Sequence, residues 1–143
     1  MSAQLIDGKA VAARMRARLA EARRSIGSRA VRLVSLQVGN NPAAEVYVRN
    51  QRKAAAEVGI DMEVVGLPDA ATQQDLIAAI QEHSLRSDVA GVIVQRPLPA
   101  TIDARTVQMA IDPRLDVEGM HPANMGAILY REPEFPPCTA AAA

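Results

Sequence analysis

The stretch VSLQVGNNPAAEVYVRNQRKAAAEVGI, Val34 to Ile60, decides the fold. An apolar run from Leu33 to Val38 ends at Gly39, and a polar turn, Asn40-Asn41-Pro42, follows. An apolar run closed by Gly, Asn and Pro reads as a strand entering a turn. A long helical pattern comes next; it carries Tyr47, with Gln51 one helical turn further on. Residues four apart on a helix share a face, so Tyr47 and Gln51 point the same way. Strand, tight turn and helix thus aim polar side chains past the strand's carboxyl end, where open α/β sheets keep their ligands.

The same alternation extends to both sides. Asp7 or Gly8 opens a first helix that runs to about Ile26, before Gly27-Ser28. Its residues Val11, Met15, Leu19 and Ala22 lie three to four apart and predict one buried stripe. Arg14, Arg16, Arg18, Arg23 and Arg24 lie mostly off that stripe, as a solvated basic face. The near-continuous apolar run Val31 to Val38 suits a buried parallel strand. The second helix, about Ala43 to Val58, stops at Gly59. A second strand follows at about Ile60 to Gly66, and Pro68-Asp69 turns the chain. Thr72 caps a third helix, about Gln73 to His83, with Leu76, Ile77 and Ile80 on one face. Val89 to Val94 is apolar enough to be central. Gln95-Arg96-Pro97-Leu98-Pro99 must leave the sheet, because two prolines forbid further ladder pairing. Asp103 to Ile111 reads as a short helix ended by Pro113, and DVEGMHPANMG as a polar loop. The expected fold class is α/β: one domain with a parallel βαβ sheet between flanking helices, three-layer-like.

Bulk composition removes several function classes. At 143 residues the chain can bury its own core. Sixteen Lys plus Arg balance sixteen Asp plus Glu, which argues against a general nucleic-acid binder. Aromatics at 2% leave no base-stacking platform. A single cysteine, Cys138, allows no internal disulfide and no cysteine-rich metal site. His, Cys, Asp and Glu show no metal-ligand spacing, so no metal is expected. No apolar run is long enough to span a membrane, and MSAQLIDGKA lacks the pattern of a secretory signal, so a cytoplasmic protein is the expectation.

The candidate site gathers Tyr47, Gln51, Gln95, Asp116, Glu118, His121 and Asn124. Planar hydrogen-bonding groups beside a rigid Pro97-Leu98-Pro99 wall suit a flat heteroaromatic small molecule. GNNPA, with one glycine, is no phosphate cradle.

At these residues the chain resembles the N-terminal domain of the methylenetetrahydrofolate dehydrogenase/methenyltetrahydrofolate cyclohydrolase family. VGNNPAAEVYV, KAAAEVGI, GVIVQRPLP, DPRLDVEGMHPANMG and PPCT carry the likeness, in family order from about residue 5 to 139. The resemblance implies an α/β wall of a folate cleft, a tetrahydrofolate derivative as ligand, and a second, Rossmann-type domain that binds NADP or NAD. That domain would begin just after the PCT segment. Residues 1–139 are therefore expected to form the folate-binding domain, and 140–143 the start of a missing or truncated nucleotide-binding domain. With no G-x-G-x-x-G-like sequence, no cofactor site is expected in this chain. The missing domain or chain, or a second copy covering the exposed cleft wall, are the expected partners; nucleic acid and membrane are not.

Carried over residue by residue, the resemblance implies ligand contact for Tyr47, Gln95, Pro97, Leu98 and Glu118, and catalytic positions at Tyr47, Gln51 and Glu118. Four departures cluster there. The family's catalytic lysine, four residues after the tyrosine, is Gln51; its second aspartate of Asp-Val-Asp-Gly is Glu118; its leucine before Pro-Leu-Pro is Arg96; and a common serine is Ala44. A glutamine cannot titrate, and loss of general acid/base help costs about 10²–10⁴-fold. Arg52 and Lys53 point away from the Tyr47 face at about 100° per residue. Arg96 could return a positive charge to the cleft or meet a folate glutamate tail. Asp116 and His121 read as loop braces, His83 as a helix-end residue and Cys138 as inert. Two functions stay open. One is the folate half of a dehydrogenase with an impaired cyclohydrolase step; the other is a non-catalytic module for folate, a pterin-like ligand or a protein.

Overall fold

The computed structural model describes residues 7–142. Its sheet has three parallel strands in the order β2-β1-β3, with β1 (Arg32–Val38) in the middle, β2 (Asp61–Leu67) on one side and β3 (Val89–Val94) on the other. Leu36 lies level with Val65 and Val94, so the carboxyl ends of all three strands reach one rim. The segment after Asp112 runs along the outer edge of β3: the Val92 N–H donates to the Leu115 carbonyl at 2.8 Å, and Val92 bridges Asp116 in parallel.

Alternation of side chains along β1 supplies two cores. Val34 and Leu36, both 0% exposed, pack with Leu76 and Ile80 of α3 (Gln73–Ser84) and with Val107 of α4 (Ala104–Met109). On the opposite face Leu33 joins Val48 and Ala55 of α2 (Pro42–Glu57), with Met62 and Val64 of β2. Helix α2, the sheet, and α3 with α4 therefore form three layers, as expected.

Caps set most helix starts. Asp7, Thr72 and Asp103 each accept backbone N–H bonds at the head of α1 (Gly8–Ser25), α3 and α4. Such bonds satisfy donors the first helical turn leaves unpaired.

Three expectations need correction. Helix α4 closes at Met109, four residues before the proline expected to end it. The polar loop is partly helical: α5 (Pro122–Leu129) starts with Pro122 in its first turn and His121 as cap. A first-turn proline starts a helix well because its missing N–H is not needed there. The α1 stripe is not buried: Val11 is 39% exposed, Met15 58% and Leu19 51%. Helix α1 is attached instead through polar groups, with Arg23 donating to the Gly59 carbonyl at 2.9 Å and Arg16 pairing with Glu57. A last short helix, α6 (Cys138–Ala141), spans the domain boundary expected after residue 139. Among the described residues, no helix is long and apolar enough to cross a membrane.

Candidate ligand site at the carboxyl rim

Gln95 follows β3 directly, and its N–H donates to the Leu36 carbonyl at 2.8 Å, which ties its backbone to the central strand. Its side chain turns toward α2. Gln95 Nε2 donates to Gln51 Oε1 and to Ser35 Oγ, both at 2.9 Å. Gln95 is 6% exposed and Ser35 0%. This corner is neutral and hydrogen-bonded throughout; nothing in it titrates near neutral pH.

Arg96 turns the other way, toward α4. Its Nη2 donates to Gln108 Oε1 at 3.4 Å, and Gln108 Nε2 donates to Asp116 Oδ1 at 3.2 Å. Asp116, 1% exposed, also accepts from the His121 N–H at 2.6 Å and from Asn124 Nδ2 at 2.9 Å. Three donors from α4, the loop and α5 thus converge on one carboxylate. Two residues on, burial pushes the Glu118 carboxyl above its ordinary range; the Asp116 carboxylate adds to that push and Arg96 opposes it.

The residues expected at the site are not all brought together. Gln95, Arg96, Pro97 and Ala44 line one small rim pocket with Gly39 and Asn41. Gln51 lies half-buried beside it through its bond to Gln95. Tyr47, one turn earlier on α2, is 58% exposed and stands outside that pocket wall. Leu98 packs against the larger core cluster rather than lining the pocket. Glu118 lies within electrostatic reach of Asp116 and Arg96. His121 caps α5, its Nδ1 accepting from the Ala123 N–H, and Asn124 braces Asp116. Arg52 and Lys53 are exposed and replace nothing in the cleft.

Sequence reasoning missed Ser35 and Gln108. A lone hydroxyl inside an apolar strand run was the available signal for Ser35; Gln108 offered none.

The strand–turn–helix corner does not fit a dinucleotide. Gly39 has φ 72°, but an Asp69 carboxylate oxygen occupies the space beside its Cα. That negative charge opposes a pyrophosphate, and Pro42 at the head of α2 removes one backbone donor.

The family described as "Tetrahydrofolate dehydrogenase/cyclohydrolase, catalytic domain" matches residues 6–118. The chain belongs to this family. Bifunctional protein FolD of Acidiphilium cryptum is 45% identical over 139 residues, and that of Streptococcus equi subsp. zooepidemicus 41% over 141. The matches take in 97% and 96% of this chain but 50% of each relative. Among solved structures, a methylenetetrahydrofolate dehydrogenase from Bombyx mori aligns with TM-score 0.92 at 36% identity, covering 98% of this chain and 49% of that one. A FolD from Trypanosoma brucei, solved with NADP and an inhibitor, aligns with TM-score 0.89 at 33% identity, covering 99% and 50%. The chain spans about half the length of the curated relatives it matches. For the family, the expected fold and catalytic-domain assignment hold.

Proposed function

We propose that this chain is the folate-binding half of a methylenetetrahydrofolate dehydrogenase in one-carbon metabolism, with an impaired cyclohydrolase step. The observation that carries the reading is the Gln95–Gln51 bond at 2.9 Å. Gln51 occupies the lysine position of the family pattern and is held as a neutral hydrogen-bonding group. Opening the methenyl bridge with water requires proton removal from the water and proton delivery to a ring nitrogen. A lysine of lowered pKa can exchange those protons near neutrality; a carboxamide cannot. Oxidation of the methylene bridge to the methenyl form asks less of this chain. Its task there is to hold the ligand at the rim through Gln95, Gln51, Glu118 and Tyr47. NADP or NAD would belong to a second domain or chain in this reading, because the Gly39–Pro42 corner does not suit a pyrophosphate. Residues 1–139 form the folate domain in this reading, and the protein works in the cytoplasm.

A second reading draws on the same neutral corner: a module that binds a folate or pterin-like ligand without turning it over. Calorimetry with tetrahydrofolate and 5,10-methenyltetrahydrofolate, followed by a hydrolysis assay, tests both. Both readings expect binding of the methenyl form with little hydrolysis. Gln51→Lys is expected to raise hydrolysis by about 10² or more, the scale of restored acid/base help. Hydrolysis by the unmodified chain at the rate of a lysine-bearing relative sinks the first reading. Dehydrogenase turnover once a nucleotide domain is joined to the chain sinks the second.

A further inference from the structure

We propose that Ser35 is a positioning residue: it anchors the Gln95 carboxamide against α2 and thereby decides which polar atoms the cleft offers its ligand. For its ligand the inference rests on the folate reading above; for the anchor itself it does not.

Ser35 lies at the middle of the central strand, level with Val64 of β2 and Ile93 of β3. It is 0% exposed, as are Val34 and Leu36 on either side. Its side chain faces the α2 layer, where Leu33, Met62, Val64, Val48 and Ala55 are apolar. A hydroxyl placed there is costly unless it is hydrogen-bonded. It accepts a hydrogen bond from Gln95 Nε2, sixty residues further along the chain, at 2.9 Å.

That bond has a consequence for the site. A primary carboxamide has two N–H donors and one carbonyl acceptor. Gln95 spends one N–H on Ser35 and the other on Gln51. Both of these bonds use Gln95 Nε2, so Oε1 is the carboxamide atom left over for a ligand at the rim pocket that Gln95 lines. Gln51, which accepts through Oε1, keeps its own N–H donors uncommitted among the described residues. The corner thus presents an acceptor from one carboxamide beside a donor from another. Such a pair complements a heterocycle edge with neighbouring N–H and C=O or ring-nitrogen groups, as on the lactam edge of a pteridine. Without the Ser35 anchor, the Gln95 carboxamide is free to turn about its last torsion, which is broad for an amide. Its bond to Gln51 and the pattern shown to the ligand are then lost together.

Ser35→Ala in the full chain tests this, followed by side-chain amide NMR and by calorimetry with 5,10-methenyltetrahydrofolate. Expected are faster solvent exchange of the Gln95 side-chain amide protons, a shifted Gln51 side-chain amide, and affinity lowered about tenfold, the scale of one hydrogen bond. If Ser35 only supports the fold, Ser35→Ala lowers thermal stability but leaves both amide signals and the affinity unchanged; that result overturns the proposal. If the unmodified chain binds no folate derivative, the folate reading fails instead. The amide exchange then decides the anchor alone: faster exchange in Ser35→Ala supports it, and unchanged exchange overturns it.

Discussion

The two ends of the three strands are built from opposite materials. At the amino end, Arg32 pairs with Asp61, Asp88 and Glu63 at 2.7, 2.9 and 3.4 Å, and Arg86 pairs with Glu63 and Asp88 at 2.8 and 3.1 Å. All five side chains are partly open to solvent. At the carboxyl end, the corner facing α2 is neutral, made of Ser35, Gln51 and Gln95, and one carboxylate, Asp116, is sealed under three donors. Charge laces the strands together at the amino end, whereas at the carboxyl rim it is kept off the α2 corner, with Arg96 turned toward α4 and Glu118 near Asp116. At the amino end Glu63 and Asp88 each face both arginines, so one arginine can stand in for the other. At the rim three donors depend on the one Asp116 carboxylate, so its loss should cost more.

The largest effect is expected from Asp116→Ala. The variant leaves the Gln108 amide and the His121 N–H without their acceptor and takes one of two acceptors from the Asn124 amide, which keeps the Pro113 carbonyl, in a site where water cannot freely replace the carboxylate. Unsatisfied buried donors cost about 1–3 kcal/mol each, partly relieved by relaxation, so a total loss of about 3 kcal/mol is expected. Urea unfolding followed by circular dichroism measures it. A loss below about 1 kcal/mol would mean that the rim tolerates change as the amino end does.

Glu118 sharpens the contrast through pH. Its carboxyl titrates above the ordinary carboxylate range in the folded chain because burial disfavours the charge. Between the unfolded and folded values the folded chain keeps a proton that the unfolded chain releases. Glu118 therefore supports folding best in acid, and that support is lost as pH rises through its folded value. Glu118→Gln carries no charge at any pH, so it should melt higher than the unmodified chain at neutral pH. Its advantage should vanish below the ordinary glutamate range. Melting curves across pH check the sign; an advantage that grows toward acid contradicts it.

These differences were unevenly legible in the sequence. The β1–turn–α2 unit was readable because periodicity, Gly39 and Pro42 all act locally, and the caps at Asp7, Thr72 and Asp103 were readable for the same reason. The Gln51–Gln95 bond joins residues 44 apart, so the sequence could nominate both partners but not pair them. Helix α5 was hidden because Pro122, Asn124 and Gly126 are turn-forming residues; the cap at His121 and the brace at Asp116 override that preference. Periodicity in α1 misled: Val11, Met15, Leu19 and Ala22 are spaced as one stripe, yet all four are exposed, because spacing cannot say what, if anything, covers a stripe.

The smallest effect is expected at the amino end. Arg86→Ala removes two ion pairs, yet Arg32 still faces Glu63 and Asp88. Exposed pairs gain little over their hydrated partners, and salt screens what they gain. A small fall in melting temperature is expected at low ionic strength, narrowing as salt is raised. Its pH dependence has the opposite sign to that of Glu118. The Arg86 guanidinium holds the Asp88 carboxyl below its ordinary range. The stabilisation this gives is therefore present above the unfolded value and lost as pH falls through the depressed one. The gap between Arg86→Ala and the unmodified chain should accordingly be widest near neutral pH and close in acid. A salt-insensitive loss as large as that of Asp116→Ala would show that the charged lacing, too, depends on single partners, and the distinction between the two ends would fall.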